Sequence, residues 1–381
     1  MAGIYIHIPY CKQACVYCNF HFSTQLATTQ LMVDSIVTEL QLRTTYFEPH
    51  TPIHTIYFGG GTPSVLTVTQ LQTIIIAIQK NYNCAELQEL TMEANPDDLS
   101  LDYLQQLKQH TPVNRLSIGV QSFNDDELAF FNRAHNASQV HQALRNAQLV
   151  GFTNISIDLI FGSPVSTTAS WLRNLQLADE YGVQHLSCYS LTVEEKTALA
   201  HRVNYTKQVT LNESLNNQQF QTLMDYASQN NWTQYEISNY CKQGFESKHN
   251  TSYWQGKTFM GVGPAAHSYN GATRSFNIHN NNLYIKAMHN NDLKASTDTT
   301  EILTESEQYN EYVMTRLRTL QGINSIKLQQ LFGTEKLTYF ETEIAYEIHK
   351  GNIKYEYFNY TLTSAGKYIA DSVASNLFWV E

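Results

Sequence analysis

The 381-residue sequence holds no uninterrupted run of about 18 apolar residues, the length a membrane-crossing helix needs, so no membrane span is expected. Its start has no basic region followed by a long apolar stretch, the pattern of a secretory leader. The first apolar run, Ile4 to Ile8, is strand-sized and broken by His7. The expectation is a cytoplasmic protein. Positive charge is also scarce: 24 Lys and Arg face 34 Asp and Glu, a net −10. Nucleic-acid binding draws most of its affinity from phosphate contacts, so a nucleic-acid partner is not expected. Cysteines number only six. In a reducing compartment, cysteines that cluster are more often metal ligands or catalysts than disulfides.

What the chain does have is apolar content, at 42%, enough for a large core and a smaller module. Its first half alternates strand and helix signals. Gly3–Ile8 reads as a strand, and Val33, Ile36, Val37 and Leu40 then mark one helix face. Strand patterns recur at Ile53–Phe58, Leu90–Ala94, Arg115–Val120, Asn154–Ile160 and Gln184–Ser190, with helical patterns between them. Such βα units imply a parallel sheet, either a partial barrel or an open doubly wound sheet, with the site at the C-terminal strand ends. The three early cysteines, Gly59–Ser64, Asn95, Gln121 and Asp158 all fall there.

Past residue 195 the pattern changes, giving expected divisions of 1–195, 196–300 and 301–381. In the last, a helix is expected from Glu305 to about Leu320, and "QGINSIKLQQLFG" reads as turn, helix and Gly stop. "YEYFNYTLTSAGKYIADSV" reads as strand, turn and helix, so a winged-helix-like α+β module is expected. Its seven Lys/Arg against eleven Asp/Glu suit packing better than DNA binding.

Cys11, Cys15 and Cys18 follow the first strand with spacing C-x3-C-x2-C. Three thiolates on one short loop suit a [4Fe–4S] cluster, each on its own iron, with the fourth iron open to a small chelating ligand. A structural zinc site would need a fourth ligand, which His21 could supply. A C-x2-C redox pair leaves the third cysteine unexplained. Cys84, Cys188 and Cys241 are not expected as ligands.

With Tyr17 before the last cysteine, this motif resembles the radical S-adenosylmethionine (SAM) signature. The flanking "YIHIPYC" and "YCNF" resemble one branch, the oxygen-independent coproporphyrinogen oxidases and related haem chaperones. The resemblance implies a partial (β/α)6 barrel over 1–195, with SAM chelating the open iron and yielding a 5′-deoxyadenosyl radical. "GGGTPS", with Gly60, Gly61 and Thr62, is similar to the stretch that receives the SAM amino group. "MEANPDD" brings Glu93, "IGVQSFNDDELAFFNRAH" brings Gln121 and Arg133, and "SIDLIFG" brings Asp158. The resemblance implies that these four, with Tyr5, line the SAM pocket.

Within the branch, the oxidases have a fourth cysteine two residues after the third; here that position is Phe20. They also carry an extension ahead of the cluster, whereas the first cysteine here is already residue 11. "HNTSYW" matches the H-N-x-x-Y-W motif of the haem-chaperone side, and implies haem contact by His249, Asn250, Tyr253 and Trp254. "GVGPAAHSY" fits a dinucleotide pattern, but Pro264 sits inside it and no βαβ unit opens there, so it is expected to be a backbone turn near the cofactor cavity. The expected function is a haem chaperone that passes haem to a respiratory or other haem protein. The alternatives are oxidative decarboxylation of coproporphyrinogen III and a zinc-stapled binding module.

Overall fold

The structure is a computed structural model that describes residues 2–380. Six strands form its centre: β1 Ala2–Ile8, β2 Ile53–Gly60, β3 Glu89–Ala94, β4 Arg115–Gln121, β5 Ile155–Phe161 and β6 His185–Ser190. They lie side by side in chain order, and every adjacent pair is parallel. Between them run α1 Thr29–Leu42, α2 Val68–Asn81, α3 Leu101–His110, α4 Asp125–Phe130, α5 Ala137–Leu149 and α6 Thr168–Glu180. The local chemistry that starts these helices is explicit. Thr67, Asn136 and Thr167 each close a capping box, and Ser100 accepts from the Tyr103 N–H. Val33, Ile36 and Leu40 are buried, so the periodic face of α1 does pack inward.

Residues 233–302 extend the same sheet at both edges. On one side are β7 Thr233–Gln234 and β8 Asn239–Cys241, with β8 antiparallel to β6. On the other are β9 Phe259–Val262, β10 His267–Tyr269, β11 Thr273–Asn277 and β12 Thr297–Ile302. β9 runs parallel to β1 although 250 residues lie between them in sequence. β1 and β6 do not pair, so the sheet curls without closing. The α/β architecture with a six-unit parallel core is therefore the one expected.

The C-terminal region has its own apolar core of Tyr309, Val313, Leu317, Phe340, Ile344 and neighbours. Its helix Glu305–Leu317 leads into β13 Ile323–Asn324, and β14 Ile353–Glu356 and β15 Asn359–Leu362 complete a three-stranded antiparallel sheet. Two local expectations change. The Gly stop at Gly333 (φ 82°) is a break inside Ser325–His349, after which helix resumes. The single strand expected near 355–362 is a hairpin turning at Tyr357 and Phe358, both at positive φ. No Asn-Gly or Gly marks that turn, so its usual sequence signal is missing. Among the described residues no helix is long and apolar enough to cross a membrane.

Candidate cluster and cofactor site

The loop after β1 carries the three cysteines and is pinned from several directions. The Cys11 N–H donates to the Ser23 carbonyl at 3.0 Å, and the Val16 N–H to the Phe131 carbonyl at 3.1 Å. The end of β2 fixes the loop's first turn, where the Gly61 and Thr62 N–H groups reach the Ile8 and Tyr10 carbonyls at 2.9 and 2.7 Å. Glycine is required here. Gly60 has φ 106°, and a Cβ on Gly61 would lie 2.6 Å from the Tyr10 carbonyl oxygen.

A polar chain ties two of the cysteines together. The Thr62 hydroxyl donates to Cys11 Sγ at 3.3 Å and accepts from Asn95 Nδ2 at 3.3 Å. Asn95 Oδ1 accepts from Arg133 Nη2 at 2.5 Å, and that nitrogen also reaches the Gly119 carbonyl at 2.9 Å. Arg133 Nη1 then donates to Cys15 Sγ at 3.2 Å and to the Tyr17 hydroxyl at 3.3 Å. Arg133 suits this bridge because its planar fork holds several acceptors in fixed directions. Asn95, expected at the site end of the sheet from its place just after β3 but given no role there, is the link between Thr62 and Arg133.

Inside the barrel stand two carboxylates. Glu93 accepts from the Tyr57 hydroxyl at 2.7 Å, and its deep position pushes its carboxyl up to about 7, with Asp158 adding repulsion. Burial likewise pushes Asp158 up to about 6, against hydrogen bonds from Ser187 and Ser117. Asp158 is mid-strand in β5, paired with Ser187, and not at the strand end expected from sequence. Gln121 ends β4 at φ 64°, and its side-chain amide has no hydrogen-bond partner among the described residues. A left-handed glutamine whose enclosed amide has no partner among the described residues is a strained residue. Tyr5 donates to or accepts from His7 Nδ1 at 3.2 Å and stacks on Tyr57 with centroids 6.1 Å apart.

The HNTSYW segment is α9, Lys248–Trp254, counting α7 as Ala198–Ala200 and α8 as Glu213–Gln229. It lies under the barrel floor. His249 is 1% exposed, and both its ring nitrogens are taken: Nδ1 by the Thr55 hydroxyl at 2.8 Å and Nε2 by the Tyr253 hydroxyl at 2.7 Å. Burial pushes its pKa down to about 3, so the ring is neutral. The expected haem contact through this nitrogen pair is not offered by the geometry. Asn250 receives the Ser247 cap through its N–H, and Trp254 is half-buried with Arg318 over its ring at 5.7 Å.

Residues 5–178 match the family model described as the Radical SAM superfamily. The chain is 33% identical over 375 residues to the Heme chaperone HemW of Bacillus subtilis (strain 168), covering 98% of each. The chain belongs to the HemW family of radical SAM proteins. It is 30% identical over 379 residues to the HemW of Mycobacterium tuberculosis (strain ATCC 25618 / H37Rv), covering 98% of this chain and 94% of that one. Among solved structures, coproporphyrinogen III oxidase (HemN) from Escherichia coli aligns with TM-score 0.85 over 99% of this chain and 90% of that chain. At 19% identity, that likeness shows a common fold.

Membership of the radical SAM superfamily implies a [4Fe–4S] cluster and SAM, and the HemW-family site here fits both. Among the described residues no three His, Cys, Asp or Glu side chains converge on one metal ion. Zinc needs all its ligands within about 2.0–2.3 Å of one point. A multinuclear cluster gives each thiolate its own iron, so spaced thiols suit it. His21 is turned away from the loop, with Nε2 on Asn281 Oδ1 at 2.7 Å. For SAM, two enclosed carboxylates with raised pKa values are unfavourable by themselves and become favourable beside a sulfonium and ammonium. The cluster, when bound, supplies the electron for cleaving SAM; the chain's own residues place thiolates, carboxylates and amide around it.

Proposed function

We propose that this protein is a haem chaperone of the radical SAM type. It holds a [4Fe–4S] cluster through Cys11, Cys15 and Cys18 and binds SAM between Tyr5, Gly60, Gly61, Glu93, Gln121, Arg133 and Asp158. It carries haem in the cytoplasm and passes it to a respiratory or other haem protein. The observation that carries this reading is the end-to-end likeness to proteins named Heme chaperone HemW. Phe20 supports it locally. Two residues past Cys18, it is 67% exposed on the cluster loop and offers no thiol.

The competing activity is oxidative decarboxylation of coproporphyrinogen III. Anaerobic protein with reconstituted cluster, SAM and coproporphyrinogen III is expected to yield no protoporphyrinogen while binding hemin stoichiometrically. Product formation would replace the carrier reading with the oxidase one.

A further inference from the structure

The strands that extend the sheet beyond β1 have one face turned into the barrel. Cross-strand partners point to the same face of a sheet. Phe259 pairs with Gly3, and a Cβ on Gly3 would point at the His249 ring, so Phe259 faces inward. Tyr269 pairs with both Phe259 and Arg274, and His267 pairs with Phe276, so all four share that face. Ser268, one residue along, points the other way and accepts from Arg43 of α1 at 3.0 Å.

The resulting wall has three kinds of chemistry on one surface. Phe259, Tyr269 and Phe276 are half-buried rings; Phe259 and Tyr269 have centroids 6.2 Å apart, and the Phe276 ring meets His267 edge-on at 4.4 Å. His267 is solvent-accessible and neither ring nitrogen has a hydrogen-bond partner among the described residues. Arg274 is held on the same face by Glu311. Partial burial, and then the nearby His279 and Arg274, disfavour protonation of His267, which keeps a nitrogen lone pair available.

We propose that this wall is the haem site, with the His267 imidazole as the iron ligand and Arg274 as the partner of a propionate. The assignment rests on the haem-chaperone reading and deepens it. Haem needs a flat apolar surface, a neutral imidazole and a cation for its carboxylates, and the wall presents all three. The buried motif then has a different role. His249 bonds Tyr253, whose ring packs on Phe259 at 4.4 Å, so HNTSYW braces the Phe259 end of the wall from the same inner face. Among the described residues His279 also has unpartnered ring nitrogens, but it lies past the end of β11, where its ring packs edge-on against His21 with centroids 5.9 Å apart, whereas His267 packs on Phe276 of the wall.

The test is hemin titration of the full-length, cluster-reconstituted protein, read by the Soret band and by resonance Raman of the axial ligand. His267→Ala is expected to weaken hemin binding at least about tenfold. It should also abolish the imidazole-ligated signature, which added imidazole restores. The cluster spectrum and SAM binding should be unchanged. His249→Phe should keep the parent's axial signature even where it lowers occupancy. The site assignment is overturned if His267→Ala retains the parent's signature, or if the signature is lost in His249→Phe or His279→Ala instead. If the parent protein itself takes up no hemin, the haem-chaperone reading fails and this site with it.

Discussion

The ring of Tyr57 stacks on the ring of His249, with centroids 5.0 Å apart and 24° between the planes. One residue belongs to the barrel strand β2 and the other to α9, so the stack joins the barrel interior to the HNTSYW segment. Tyr57 in turn donates to Glu93 and stacks on Tyr5. A motif that sequence reading treats as a separate haem contact is thus part of the same packed column as the proposed SAM pocket.

That column makes His249 a structural residue first. His249→Ala removes two buried hydrogen bonds and a stacked ring, and is expected to destabilise the fold by about 2–4 kcal/mol. His249→Phe keeps the stack but leaves the Thr55 and Tyr253 hydroxyls unpaired, a cost of about 1–3 kcal/mol. Denaturant unfolding of the two variants should rank them in that order. Equal stability to the parent in both would show that His249 is not held as described.

Arg133→Lys should leave the fold intact and weaken the cluster. Lysine cannot reproduce a fork that reaches Cys15, Tyr17, Asn95 and the Gly119 carbonyl together. Outer partners of metal ligands are worth about 10–100-fold in metal affinity. Iron release to a chelator under anaerobic conditions should therefore speed up by at least about tenfold. Unchanged release would mean that the hydrogen bond to Cys15 contributes nothing to cluster retention.

Glu93 gives a pH prediction with a definite sign. Its folded pKa, about 7, lies above the ordinary carboxylate value of 4.5. The unfolded chain therefore releases this proton more readily, and the ligand-free protein loses stability as pH rises between those values. Glu93→Gln should abolish that loss, raising the stability of the ligand-free protein at pH 8 by on the order of 3 kcal/mol and changing little at pH 4. The same change removes a carboxylate from beside the cationic ligand, so SAM should bind at least about tenfold more weakly. Thermal melts at the two pH values and SAM titration check both halves, and a drop in stability at pH 8 would reverse the argument.

The cysteine loop and the βα alternation were legible in the sequence because both are local. Cys11, Cys15 and Cys18 lie within one turn-rich loop, and each βα unit announces itself by period and by caps such as Thr67 and Asn136. What was not legible is what the sheet brings together from far apart. The sequence places β9 between β1 and β10 through two glycines that admit close backbone: a Cβ at Gly263 would lie 2.5 Å from the His7 carbonyl oxygen of β1, and one at Gly261 would lie 2.0 Å from the His267 carbonyl oxygen of β10. The glycine pattern was read as a turn near the cavity, which says nothing of its strand partner. A motif likewise gives residue types and not their surroundings, so nothing in "HNTSYW" indicated that both His249 nitrogens would be occupied.

Gln121 tests whether strain in the site is kept for ligand binding. At φ 64° a side chain with a Cβ is disfavoured by about 1–2 kcal/mol relative to ordinary backbone, and glycine is not. The site nonetheless has a glutamine there, 8% exposed, with an amide that bonds nothing among the described residues. Gln121→Gly should therefore stabilise the ligand-free protein by about 0.5–1 kcal/mol. It should also weaken SAM binding by about tenfold, the value of one enclosed hydrogen bond. Gln121→Ala separates the two effects, since it keeps the backbone strain and loses only the amide. If Gln121→Gly destabilises the ligand-free protein, or if neither variant alters SAM binding, then the left-handed turn at the end of β4 serves packing alone and the amide has no ligand to meet.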